Sequence, residues 1–286
     1  MPQTWGRNGG SLRGYMFAMG NVVHVVKPVD KNQLLARRET HARGRLRTQW
    51  FYVACIAVGI AVAGWVVLSE WWQPIHGIQW LGLTGFVLTY ELWLLWRHIG
   101  RNRRSNTDQL FESLGAGTAA TLLRGIAIAA VAGFILIPQP TGPEAWLPAG
   151  IYGLAVALDW VDGRLARWSG QPTLLGAKLD REFDGLGLLV AGLLGYAYGV
   201  LPVWYLAVGF ARPLFVVGTW LHRHRGGTIG SLPESGHRRQ LAGSQMIVCS
   251  VALLPVVTPT VSMALATVVM LPFVGVFIRD FITIRE

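Results

Sequence analysis

Charge is scarce in this chain. Only 14% of its 286 residues are Asp, Glu, Lys or Arg, while 52% are hydrophobic; soluble domains carry about a quarter charged residues. The apolar residues also come in long runs, so the sequence reads as a polytopic membrane protein rather than a soluble domain. Cysteine is scarcer still. Cys55 and Cys249, both inside apolar runs, exclude a disulfide framework and a thiolate metal motif, and are expected as small buried hydrophobes. The seven histidines show no metal-ligand spacing, which argues against a zinc site. A basic start, apolar core and small-residue cleavage site do not occur in succession at the N-terminus, so no cleaved signal peptide is expected. No internal repeat is visible, which weakens an inverted-repeat transporter.

Positive charge is what the chain has in excess, with 25 Lys and Arg against 15 Asp and Glu and a net charge of +10. Their placement argues for the membrane surface and against a nucleic-acid partner. Lys and Arg cluster beside the apolar runs, where a positive-inside bias and anionic lipid headgroups account for them. Apolar runs predict eight spans, near residues 50–72, 78–96, 118–137, 149–161, 183–202, 203–221, 241–257 and 261–278. The apolar stretch 15–26 is too short to cross. Loops at 70–77, 138–148, 201–202 and 257–259 contain no Lys or Arg; the basic clusters all share the other side. Both termini are therefore expected in the cytoplasm. Three units follow: a basic cytoplasmic arm (1–49), a two-span hairpin (50–104) and a six-span core (105–286). The fold class is an all-α integral membrane protein.

Four aspartates stand out against this background. From Asp159 the chain reads DWVDGRLARWSGQPTLLGAKLDREFD, with apolar segments on both sides. Residues three and four apart share a helix face. Asp159, Asp162, Gly163 and Ala166 thus form one stripe, and Asp180 with Asp184 another. Gly170, Pro172 and Gly176 allow the two helices to fold back beside each other. Carboxylates at the edge of hydrocarbon need a partner, a cavity or a cation. Ion pairs with Arg164, Arg167 and Arg181 are one answer; a metal site is the better one for four carboxylates in two helical pairs. All-oxygen ligation suits Mg²⁺ or Mn²⁺. Divalent ions beside small residues that leave room for a ligand imply phosphate chemistry.

The skeleton D-x2-D-G-x2-A-R, eight residues, then G-x3-D-x3-D resembles the signature of the CDP-alcohol phosphotransferase family. Thr121-Leu-Leu-Arg124 in the third span also looks like the family's first core helix, although Gly115-Ala-Gly117 stands where a Pro-Asn pair is common. The resemblance covers about residues 114–285 and implies roles. Asp159, Asp162 and Asp180 would hold two divalent ions, Mg²⁺ or Mn²⁺, with Asp184 as general base also touching the second. Gly163, Ala166 and Gly176 would make room for the cytidine nucleotide, and Arg167 would meet phosphate or pair with an aspartate. The implied reaction transfers a substituted phosphate from a CDP-linked lipid, CDP-diacylglycerol, to a polar alcohol and releases CMP. The resemblance further implies a homodimer in a bacterial or archaeal cell membrane, with lipids as neighbours. The reverse pairing, a CDP-amino alcohol with diacylglycerol, uses the same motif.

Other features are less specific. Arg212 lies within a span and is a candidate for binding phosphate or pairing with a buried carboxylate such as Glu91. Arg238 and Arg239, with Ser235 and His237, are read as a solvated basic loop. Gly-rich stretches such as 185–199 suit close helix packing. A cation channel is the alternative class; the placement of all four aspartates at one membrane face argues against a through-path.

Overall fold

The first apolar run lies within the longest helix. In the computed structural model, which describes residues 31–104, 109–168, 172–226 and 236–283, α1 covers Lys31–Trp71. The sequence alone places the start of this span at residue 50, after a basic arm; the helix begins at Lys31. Residues 31–49 are rich in Lys, Arg, Gln, Leu and Ala, all good helix formers. Ala42 and Leu46 bury themselves against Leu110, and Arg43 pairs with Glu39 one turn earlier at 2.9 Å. The apolar stretch 15–26 lies outside the described residues.

Seven further α-helices follow: α2 (Pro74–His98), α3 (Ala116–Gly133), α4 (Trp146–Trp168), α5 (Leu174–Ala197), α6 (Leu206–His224), α7 (Gly236–Ala252) and α8 (Pro259–Thr283). The described residues hold no β-strand, only an isolated bridge between Arg103 and Leu110. Local chemistry sets several boundaries. Pro74 opens α2, where its missing N–H costs nothing. Gly199, at φ +69°, turns the chain after α5. Pro213 interrupts α6 and bends it. Among the described residues, four helical stretches are long and apolar enough to cross a bilayer: Gln33–Trp71, Pro74–Arg101, Ala116–Leu136 and Pro259–Arg279. The bent pair Val203–Ala211 and Pro213–His224 makes a fifth. Helices α4 and α5 carry the aspartates, and the apolar part of α7, Gln240–Ala252, is short.

Helix α3 occupies the centre, packed against α2, α4 and α5. Its sequence explains this, because small side chains let neighbouring backbones approach. A Cβ on Gly133 would stand 2.4 Å from Thr84 Oγ1 and 2.5 Å from Trp80 Cδ1; one on Gly125 would stand 2.7 Å from Phe183 Cε2. The Trp80 indole donates to the Ala130 carbonyl at 2.9 Å, which removes an otherwise bare donor from the α2–α3 interface. One apolar core runs from Ala57 and Leu68 of α1 through α3 to Ala266 of α8.

The segment between α2 and α3 is tied down on both sides. Buried Asn102 donates to the carbonyls of Phe111 and Ser113 and accepts from the Phe111 amide. Gln49 of α1 donates to Glu112 O and accepts from Leu114 N at 2.8 Å, while Arg45 pairs with the Glu112 carboxylate at 2.7 Å. The Leu174 amide, at the first residue of α5, donates to Arg103 O at 2.9 Å. The N-terminal hairpin thus holds the entry to α3 and the start of α5 in register.

Candidate active site

Asp159 and Asp162 lie one turn apart near the end of α4, and Asp180 and Asp184 one turn apart near the start of α5. Thr173 caps α5 by accepting from the Gly176 amide at 2.9 Å. The two stripes face each other across α3, and the side chain between them is Arg124. Its Nη1 is hydrogen-bonded to Asp159 and lies 3.7 Å from Asp162 Oδ2. Its Nη2 lies 3.1 Å from both Asp180 Oδ1 and Asp184 Oδ1, and donates to the Asp180 carbonyl at 2.9 Å. Thr121, one turn earlier on α3, donates to Asp162 Oδ2 at 3.0 Å.

Arg124 and Asp162 are buried; Asp159, Asp180 and Asp184 each keep about a third of their side-chain surface open. One guanidinium against four ionised carboxylates leaves three negative charges in a partly dry pit. Like charges this close resist ionising together unless a cation joins them. Oxygens of Asp159, Asp162 and Asp180 lie within 4.8 Å of one another. Oxygens sharing one Mg²⁺ at 2.1 Å stand no more than about 4.2 Å apart. Cis oxygens stand closer, about 3.0 Å apart, so seating a divalent ion would draw the three carboxylates together; the hard oxygen donor set fits Mg²⁺ or Mn²⁺. Asp184 is not one of that set; it reaches it through Arg124.

The small residues of the motif divide. A Cβ on Gly163 would meet only the exposed Arg167, Nη1 at 3.4 Å, so this face of α4 is open. The space at Gly176 is taken: a Cβ there would stand 3.1 Å from Thr118 Oγ1 and 3.2 Å from Thr173 Oγ1. Gly176 thus lets the first turn of α5 lie against α3. The Ala166 side chain lies outside the described residues. Arg164 sits 3.5 Å over the Trp160 ring, and the Arg181 Nε donates to its own helix at Ala177 O. Toward the membrane, Asp159, Asp184 and Arg124 adjoin a cavity of about 10 Å³ closed by Tyr152, Phe183 and Met246. That is room for about one water.

Sequence reasoning brought the four aspartates together correctly and missed what stands among them. Arg164, Arg167 and Arg181 are the cations near the aspartates in sequence; the cation that faces all four carboxylates is Arg124, from a different helix. The signal was available, since an arginine deep in an apolar span is a functional candidate by default. Glu91, considered as a partner for Arg212, packs against α3 at Gly125. The side chains of Arg212, His237, Arg238 and Arg239, and residue Ser235, lie outside the described residues.

Comparison with known proteins agrees with this site. Over 102 residues the chain is 28% identical to proteins named "Putative cardiolipin synthase" in Mycobacterium bovis and Mycobacterium tuberculosis. The match covers 36% of this chain and 48% of those proteins, so the chain spans about half the length of the curated relatives it matches. No solved structure matches. Residues 117–274, from the first turn of α3 into α8, match the sequence model of the CDP-alcohol phosphatidyltransferase family. These residues hold all four aspartates and Arg124, and they make up more than half of the chain, which belongs to this family of transferases.

Proposed function

We propose that the protein transfers a phosphatidyl group from CDP-diacylglycerol to a polar alcohol, in phospholipid synthesis, with release of CMP. The observation that carries this reading is the gathering of Asp159, Asp162, Asp180 and Asp184 about one buried guanidinium, with three carboxylates placed to share a cation. Asp159, Asp162 and Asp180 would hold the divalent ions, Mg²⁺ or Mn²⁺. When bound, these neutralise charge on the donor pyrophosphate and on the leaving phosphate.

The chain's own residues supply the rest. Thr121 fixes Asp162 in one orientation. The open face at Gly163, with Arg167 at its edge, is the approach for the cytidine nucleotide. Asp184, held at Oδ1 by Arg124, accepts the proton of the acceptor hydroxyl. That oxygen forms the new bond to the lipid-bearing phosphorus as the phosphorus–oxygen bond to CMP breaks, and CMP carries away the bond's electrons. No step needs a covalent enzyme intermediate. The basic loops put this face, with both termini, in the cytoplasm. A homodimer is the assembly we expect.

The acceptors to test are phosphatidylglycerol, because the mycobacterial relatives are named for cardiolipin synthesis, and glycerol phosphate, inositol or its phosphate, and serine. The test is CMP release by the purified full-length chain with CDP-diacylglycerol, Mn²⁺ and each acceptor. Release that requires one acceptor and is lost in Asp184→Asn supports the proposal. Release only with a CDP-amino alcohol and diacylglycerol reverses the donor, and ion flux without CMP release rejects the enzyme.

A further inference from the structure

Glu91 lies in α2, within the hairpin that precedes the family-matched region. It is 4% exposed, and its Oε1 has no hydrogen-bond partner among the described residues. A carboxylate so placed in a membrane helix is costly, and a Leu or Met would pack as well. Its neighbours supply a reason for it. Glu91 Oε2 would stand 3.0 Å from a Cβ on Gly125, the residue after Arg124, and Phe183, the residue before Asp184, closes the other side of that glycine. Arg124 Nε is likewise buried and without a hydrogen-bond partner among the described residues. An unmatched acceptor and an unmatched donor therefore sit behind the aspartates, on adjacent helices.

Both Nη atoms of Arg124 are held by the carboxylates that would bind metal. A divalent ion taking Asp159, Asp162 and Asp180 competes for those oxygens and repels the guanidinium. A buried arginine stripped of its anions is strongly destabilising unless another anion replaces them. We propose that Glu91 is a positioning residue: the anion, supplied by the N-terminal hairpin, that holds Arg124 in the core once divalent ions have taken the aspartates. Gly125, lacking a side chain, lets the Glu91 carboxylate lie against α3 beside Arg124. The inference rests on the metal reading of the aspartates.

The experiment is Mn²⁺ binding to the full-length protein in detergent, by calorimetry, for wild type, Glu91→Gln, Glu91→Met, Arg124→Gln and the Glu91→Gln/Arg124→Gln double variant. Melting of each metal-free form is recorded in parallel. Glu91→Gln should weaken Mn²⁺ about tenfold or more, the range seen when groups behind metal ligands are removed. The metal-free melting temperature should hold or rise, because a bare buried carboxylate has gone. In the Arg124→Gln background the same change should alter Mn²⁺ affinity by no more than about twofold. A folded Glu91→Gln or Glu91→Met protein that binds Mn²⁺ like wild type overturns the proposal, as does an equal loss in both backgrounds. Failure of both variants to fold assigns Glu91 to assembly and also overturns it. Wild type that binds no Mn²⁺ fails the metal reading instead.

Discussion

Arg124 sets one guanidinium against four carboxylates, one buried and three part-exposed, so its removal takes away the cation that all four face. Breaking a buried pair by deleting one member costs about 3–5 kcal/mol. Arg124→Gln should therefore lower the melting temperature in chelator, and Mn²⁺ should raise it by more than it raises wild type; a variant that melts like wild type in chelator contradicts this. Asp184 lies outside the three carboxylates whose oxygens stand within 4.8 Å of one another. Asp184→Asn is expected to lower kcat by about 10² to 10⁴-fold while Mn²⁺ binding at Asp159, Asp162 and Asp180 survives. Asp162→Asn, which strikes the set itself, should lose that site. Calorimetry alongside CMP release separates the two, and equal Mn²⁺ loss in both variants would merge their roles. The aspartates were legible in the sequence because spacings of three and four are a property of any helix. Arg124 was legible as an arginine within a span, but its place among the aspartates was not, because no local pattern says which helix lies across from the motif.

Among the elements, α3 decides the packing, and its glycines differ in what surrounds them. Gly133 faces Thr84 and Trp80 at distances no Cβ tolerates, whereas Gly150 of α4 has nothing within 4 Å. Gly133→Ala should lose about 1–3 kcal/mol through overpacking. Gly150→Ala should be neutral or gain up to about 1 kcal/mol from helix propensity. Thermal melting in detergent compares them, and equal effects would mean that α2 does not press on α3 as described. Helix positions could be read from apolar runs, prolines and aromatic ends, although α4 runs on to Trp168 past an expected end at 161 and α5 starts at Leu174 ahead of an expected start at 183. The largest departure is the start of α1, where a basic segment with no long apolar run still forms helix through propensity and a small contact of Ala42 and Leu46 with Leu110. The role of Gly176 was likewise hidden: a small residue reads the same whether it makes room for a ligand or for two threonine hydroxyls.

At the scale of the whole molecule, the chain is an all-helical membrane transferase in which charge and apolar area are segregated by side. The absence of Lys and Arg from one set of loops predicts which face meets the cytoplasm. In a Cys55→Ala background, Gly100→Cys should react with a membrane-impermeant maleimide only from the cytoplasmic side, and Thr141→Cys only from the opposite side. Labelling of both from one side would reverse or break the topology. The buried arginine has one more consequence. Many metalloproteins are unfolded until their ion arrives, but this site carries its own positive charge. The chain can be synthesised, threaded into the bilayer and kept through metal starvation with its carboxylates already gathered. If the aspartates bind metal as proposed, metal supply would govern when the enzyme works and not whether it is built.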